Sequence, residues 1–293
     1  MYHWEGITEF VTVAETSSFT AAGKRLGIST AQVSRQINQL ETRLNTRLLY
    51  RTTRKVSLTE EGSIFYSHCR QVLNNLEDAE RAISNRQENP QGTIRMTAPV
   101  SYGEQHVMPA VLDYMEKYPE IEVICTLTNQ TLDLVQEGYD LAIRLGHLPS
   151  SSMMARQLSI RTQYVCASGD YIRRNGAPHS LSELAQHNCL VGNSPYWRFM
   201  EDRKQRTIKV SGNLVCGSGY TLMDAAIRGM GLTQLPGYYV DEAIQSGKLT
   251  VLLQSFREPK EGIWAMYPHN RQLSPKIRLL VDWLAESLSK RSL

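Results

Sequence analysis

Apolar residues recur every three or four positions from Ile7 onward: Ile7, Phe10, Val11 and Ala14, then Phe19, Ala22 and Leu26, then Val33, Ile37, Leu40 and Leu44. That spacing predicts three amphipathic helices in the first 45 residues. Ser18 stands where it caps the second helix, and Gly27 suits the left-handed conformation that ends it. Ser29 with Gln32 forms the S-x-x-Q capping box that opens the third. Two short helices joined at a glycine, the second strongly capped, make a helix-turn-helix. Next comes LLYRTTRKVSL, in which Thr52, Thr53, Val56 and Leu58 favour strands, so a short basic hairpin, or wing, is expected. Thr59 caps a further helix running to about Gln87, with Glu60 and Glu61 against its dipole. Phe65, Cys69, Val72, Leu76, Ala79 and Ile83 alternate in steps of four and three along it, a heptad seam that calls for a partner helix from a second copy.

Beyond Asn89-Pro90-Gln91-Gly92, which reads as a hinge, the pattern changes to alternating strands and helices. TIRMTA (93–98), IEVICTLT (121–128) and DLAIRLG (140–146) read as strands. Val107, Val111, Leu112, Met115 and Tyr118 stripe a helix between the first two, and 132–137 reads as a short helix before the third. This is β-α-β-α-β, the pattern of a parallel sheet with ligands beyond the strands' carboxyl ends. A second set follows from QYVCAS (163–168) and includes TLMDAAIRGMGLTQLP (221–236). A last helix, capped by Ser274 with Pro275 at its first position, turns Ile277, Leu280, Val281, Leu284 and Leu288 inward. The expected architecture is α/β in two domains: a helix-turn-helix over 1–60, a linker helix over 59–88, a hinge over 89–92, and two small α/β lobes over 93–293. The cleft between the lobes would be lined by strand-end residues: Val100 and Ser101, Asn129, Arg144 and Leu145, Ser194, and Ser218 and Gly219. Ser101 begins a helix whose amides suit an anion, and Arg144 is placed to clamp a carboxylate.

Charge sharpens this outline. The chain has 293 residues and a net charge of +3, and residues 1–60 carry eight Lys/Arg against five acids while the rest is balanced at 24 against 24. Between Thr20 and Leu58 the only acid is Glu41. A cationic segment of this kind fits a polyanionic partner, although a solvated face would also carry charge. The exposed side of the third helix would show Ser29, Thr30, Gln32, Ser34, Arg35 and Asn38, which are donors and acceptors that match base edges in a major groove. Arg51, Thr53 and Arg54 of the wing would meet phosphates.

Several classes are disfavoured. MYHWEGITEF has two acids and no apolar core, so no signal peptide is expected, and no run approaches a membrane span, so a cytoplasmic protein is expected. The five cysteines are odd in number, without a CxxC, and read as free thiols. GxSxG, HExxH and P-loop motifs are missing, and Gly229-Met230-Gly231 lacks the third glycine of a dinucleotide fingerprint, so no enzyme and no cofactor is expected. His187 and Cys189 have no third metal ligand nearby in sequence, so no metal site is expected.

The residues FVTVAETSSFTAAGKRLGISTAQVSRQINQLETRLNTRLLYRTTRKVSLTEEG, with YP.I.V, DLAIR and G.GL..LP further on, resemble the LysR-type transcriptional regulators over essentially the whole chain. The resemblance implies a winged helix-turn-helix, a linker helix that dimerises antiparallel, and a two-lobed effector domain like the type 2 periplasmic binding proteins. It implies homodimers pairing into homotetramers on double-stranded promoter DNA, with RNA polymerase and a small-molecule effector as partners and no membrane. By position, Thr30, Gln32, Ser34 and Arg35 would reach DNA from the recognition helix, and Arg51 and Arg54 from the wing. The family usually has proline near the start of that helix, where this chain has Ala31 and Gln32. A thiol sensor using Cys166, Cys189 or Cys216 is the competing reading, although their spacing does not reproduce the family's peroxide switch.

Overall fold

A computed structural model describes residues 4–51, 56–83, 90–148, 153–268 and 274–290, with 74, 75, 77–83 and 290 as backbone only. The first unit comprises α1 (Ile7–Thr16), α2 (Phe19–Leu26), α3 (Thr30–Leu44), the antiparallel ribbon β1 (Leu49–Arg51) and β2 (Val56–Leu58), and the start of α4 (Glu60–Ile83). The expected caps form: Ser18 Oγ accepts from Ala21 N, Ser29 Oγ from Gln32 N, and Thr59 Oγ1 from Gly62 N at 2.8 Å. Gly27 ends α2 at φ 69°. Phe10, Val13, Ala22, Val33, Ile37 and Leu40 are fully buried around one centre. Burying each large side chain among them contributes about 1.5–3 kcal/mol. Leu44, expected in this stripe, is 37% exposed because α3 ends at Asn45, beyond the reach of that core.

The heptad seam of α4 divides between two uses. Phe65 packs on Phe10 with ring centroids 5.6 Å apart, and Cys69 is buried in the same core. These two positions are therefore taken by the chain's own helices, and the seam expected to start at Phe65 is corrected. Val72 and Leu76 are exposed four residues apart, and Ile64, eight residues before Val72, is exposed as well. Side chains of Ala79 and Ile83 lie outside the described residues.

The rest forms two lobes. Lobe I holds β3 (Gly92–Ala98), a continuous helical run of α5 (Val100–Tyr102), a π turn (Gly103–Val107) and α6 (Met108–Lys117), then β4 (Ile121–Leu127), β5 (Leu141–Leu145) and β6 (Met154–Arg161). Lobe II holds β7 (Gln163–Ala167), α7 (Gly169–Asn175), β8 (Cys189–Leu190), the hairpin β9 (Tyr196–Glu201) and β10 (Lys204–Lys209), α8 (Gly219–Ile227), β11 (Leu232–Pro236), α9 (Gly237–Gln245) and β12 (Thr250–Leu252). The chain then returns to lobe I as β13 (Glu261–Tyr267) and α10 (Pro275–Lys290).

Lobe I is a five-stranded sheet ordered β4-β3-β5-β13-β6, and lobe II a four-stranded sheet ordered β12-β7-β11-β8. Both are mixed rather than parallel: β3 runs parallel to β4 and β5, whereas β13 is antiparallel to β5 and β6. The returning β13 reverses direction, which the sequence pattern of the first three strands did not contain. Residues 132–137 form a turn in which Asp133 Oδ1 accepts from Val135 N and Gln136 N, and no regular helix results. Leu112 faces outward at 58% exposure, while Ala110, Val111 and Tyr114 face inward under α10. Ser274 Oγ is buried and finds no hydrogen-bond partner among the described residues, so its expected capping bond is missing.

Candidate DNA interface and effector cleft

The amino-terminal unit presents α3 with one side buried and the other open. Ser29, Thr30, Gln32, Arg35 and Asn38 are exposed and Ser34 is half-buried. Lys24, Arg35 and Arg47 make no ion pair among the described residues, so their charge is uncommitted. Arg25 differs: it is bound to Glu15 at 2.8 Å, and Arg70 meets the same carboxylate at 3.1 Å.

The lone acid of the segment has a structural task. Glu41 Oε1 accepts from Leu48 N at 2.8 Å and Leu49 N at 3.1 Å, and its Oε2 pairs with Arg51 at 2.7 Å. Arg51 also donates to Asn38 Oδ1 at 2.7 Å and lies over the Phe19 ring at 5.0 Å. Thus Arg51 and Asn38, both expected to contact DNA, are engaged with each other, and Arg51 pins the wing to the recognition helix. Thr53 and Arg54 lie outside the described residues. Spacing alone missed this clamp because Arg51 is thirteen residues from Asn38 and ten from Glu41.

Between the lobes lies a cavity of about 520 Å³. Of the expected lining residues, Ser101, Asn129, Leu145, Ser194 and Gly219 border it. Val100, Arg144 and Ser218 do not. Val100 N donates to Asn129 Oδ1, and Ser218 Oγ caps α8 by accepting from Thr221 N. Arg144 is corrected by strand alternation: its neighbour Leu145 points into the cleft, so Arg144 takes the opposite face. Burial there lowers the pKa of its guanidinium.

Among the described residues, the cations at the cleft are Arg161, where β6 passes into β7, and Arg198 of β9. Both converge on Glu261, which opens β13. Arg161 reaches Glu261 Oε2 at 2.8 Å, Arg198 pairs with Oε1, and Gln163 Nε2 lies 3.4 Å from Oε2. Arg198 also lies 3.4 Å from buried Glu258. Burial alone would raise the Glu261 pKa, but Arg161 and Arg198 outweigh it and hold the carboxyl below its ordinary value. The cluster therefore ties both crossings of the chain between lobes to β9 of lobe II. An aromatic run continues the wall, with Tyr102 of lobe I 5.1 Å from Tyr238 of lobe II, and Tyr238 4.6 Å from Tyr239. Burial raises the Tyr238 phenol pKa despite the nearby Arg161. Arg161, Arg198, Gln163, Gln234, Tyr238 and Tyr239 had no local signature, since they come from segments far apart in sequence.

Cys166 and Cys189 are fully buried in lobe II, and burial pushes both thiols up to about 12. Cys216 borders the cleft. All five cysteines are free. Among the described residues no group of three or more His, Cys, Asp or Glu side chains is arranged to hold a metal, and no helix is long and apolar enough to cross a membrane.

Comparison with known proteins agrees with both halves. The bacterial regulatory helix-turn-helix of the lysR family matches residues 4–63, and the LysR substrate binding domain matches 87–289. An HTH-type transcriptional regulator of Xanthomonas campestris is 37% identical over 289 residues, covering 96% of this chain and 84% of that protein. DmlR, an HTH-type transcriptional regulator of Escherichia coli, is 33% identical over 282 residues, covering 94% and 92%. The solved structure of CrgA, a LysR-type transcriptional regulator from Neisseria meningitidis, is 30% identical with a TM-score of 0.61, covering 97% and 98%. With a capped helix-turn-helix at one end and a two-lobed binding domain at the other, each matched over its own span, the chain belongs to the LysR family of transcriptional regulators.

Proposed function

We propose that this regulator reads promoter DNA through α3 and that a small molecule held between the lobes sets how its copies sit on that DNA. The observation that carries the reading is the state of the recognition face. Thr30, Gln32 and Arg35 are exposed and uncommitted, while Glu41 is consumed internally. Effector action follows from differential affinity for two lobe arrangements, and the Arg161–Glu261–Arg198 cluster is where a ligand in the cleft would alter the crossings. The buried, high-pKa thiols of Cys166 and Cys189 favour this reading over thiol sensing. The working assembly is a cytoplasmic homotetramer built from two dimers, acting with RNA polymerase.

Arg35→Ala should weaken binding to the chain's own upstream region by roughly 10–100-fold while changing affinity for arbitrary duplex little. Equal loss on both duplexes, measured by fluorescence anisotropy, would remove Arg35 as a base reader. Leu76→Asp tests the pairing of copies. Leu76 is 51% exposed in one chain, so a charge there should leave the fold intact yet weaken the dimer about 100-fold, by placing a desolvated carboxylate in the seam. A dimer unchanged in analytical ultracentrifugation would place the seam elsewhere.

A further inference from the structure

The hairpin β9–β10 lines the cleft with Tyr196, Trp197, Arg198 and Thr207, but it also carries cations that neither the recognition helix nor the cleft accounts for. Residues 203–209 read RKQRTIK, four bases without an acid, and the whole hairpin over 196–209 holds five bases against Glu201 and Asp202. The remainder of 61–293 then holds 20 bases against 24 acids, so these four cations are concentrated on a part of the chain that is otherwise slightly acidic. Among the described residues β10 pairs only with β9, and Lys204, Gln205, Arg206, Thr207 and Lys209 are exposed. Arg206 is 3.3 Å from Glu201. Arg203, Lys204 and Lys209 make no ion pair among the described residues.

The turn supplies an independent observation. Asp202 and Arg203 form a two-residue connection with φ 49° and 61°, and Lys204 faces Glu201 as the closing pair. Such a turn favours glycine at its second position, because a β-carbon there is strained. An arginine with no ion pair at that point works against local stability, so its side chain is the feature to explain. In sequence alone, the 203–209 stretch resembles RTTRKV (51–56), which also sets cations beside hydroxyls.

We propose that the β9–β10 hairpin is a second contact to duplex DNA, independent of sequence, in which Arg203, Lys204 and Lys209 meet phosphates flanking the site read by α3. This rests on the reading that the chain binds duplex through α3. The expected consequence is extra affinity on fragments long enough to reach the hairpin, with a steep salt dependence.

The test uses the full chain carrying Arg203→Gly, Lys204→Gln and Lys209→Gln together. Wild type and variant are compared on a long upstream fragment, on a short duplex limited to the α3 half-sites, and on arbitrary duplexes of both lengths. On long duplex the variant should bind about tenfold more weakly at physiological salt, and the slope of log affinity against log salt should fall by about 2–3 per engaged protomer. On short duplex it should match wild type. Arg203→Gly alone should raise the melting temperature slightly, by relieving the turn, yet still lower the slope by about 1. Equal affinity and slope on long duplex would overturn the proposal. So would unchanged DNA binding with reduced transcription by added polymerase, which would assign the ribbon to an acidic protein surface. Loss of site preference by wild type would sink the α3 reading, while the long-against-short comparison still decides the hairpin.

Discussion

Gly62→Ala should abolish DNA binding by unfolding the amino-terminal unit. A β-carbon at Gly62 would lie 1.9 Å from Leu48 O and 2.8 Å from Leu48 C, so backbone would have to move. That carbonyl accepts from Thr59 N at 3.0 Å, and Thr59 in turn caps α4 through Gly62 N. Moving it also disturbs Leu48 N, which is held by Glu41. Overpacking against rigid backbone, with loss of a cap and of a bond to a carboxylate, should cost more than about 3 kcal/mol out of the 5–15 typical of a folded domain. Circular dichroism should show an early transition for the amino-terminal unit, with the effector lobes melting as before. A variant that melts with wild type would mean that β1 and α4 separate at no cost.

The second large effect is expected at the other end of the chain. Glu261→Ala leaves Arg161 and Arg198 without their shared carboxylate, and the Arg161 side chain is only 13% exposed. Removing one member of a buried ion cluster costs about 3–5 kcal/mol, because the remaining charges stay desolvated. For lobes of this size the melting temperature should fall by about 10 °C. The pH dependence has a definite sign. The Glu261 carboxyl is held below its ordinary value in the folded protein, so its contribution is complete above an unfolded pKa of about 4.3 and disappears as pH falls through the folded value. Wild type should therefore lose more stability than Glu261→Gln over that acid range. Parallel curves for the two proteins would show that Glu261 does not hold the lobes.

These two residues differ in how far the sequence announced them. Gly62 sits in the LTEEG run that carried the family resemblance, but nothing in that run reveals Leu48 O against it. Glu261 stands in no motif, and its partners lie 63 and 100 residues away. Arg144 was the more conspicuous candidate, as a cation ending a strand, yet a one-residue change of position reverses the face of a strand. The same ambiguity affected α4. Its heptad spacing was real, but a regular apolar stripe fits a neighbouring core as well as a partner helix, and Phe65 and Cys69 went to the core.

The sequence by itself determined what local interactions decide: helix periodicity, the serine and threonine caps, the glycine end of α2, and the concentration of positive charge in the first sixty residues. Each of these acts over a few residues and needs no distant partner. The tertiary structure alone decided which cations remain available, which stripe of α4 is left exposed, and which side chains face the cleft. Those outcomes depend on segments far apart in the chain arriving within about 3 Å of one another, the range over which a hydrogen bond or ion pair can commit a charge.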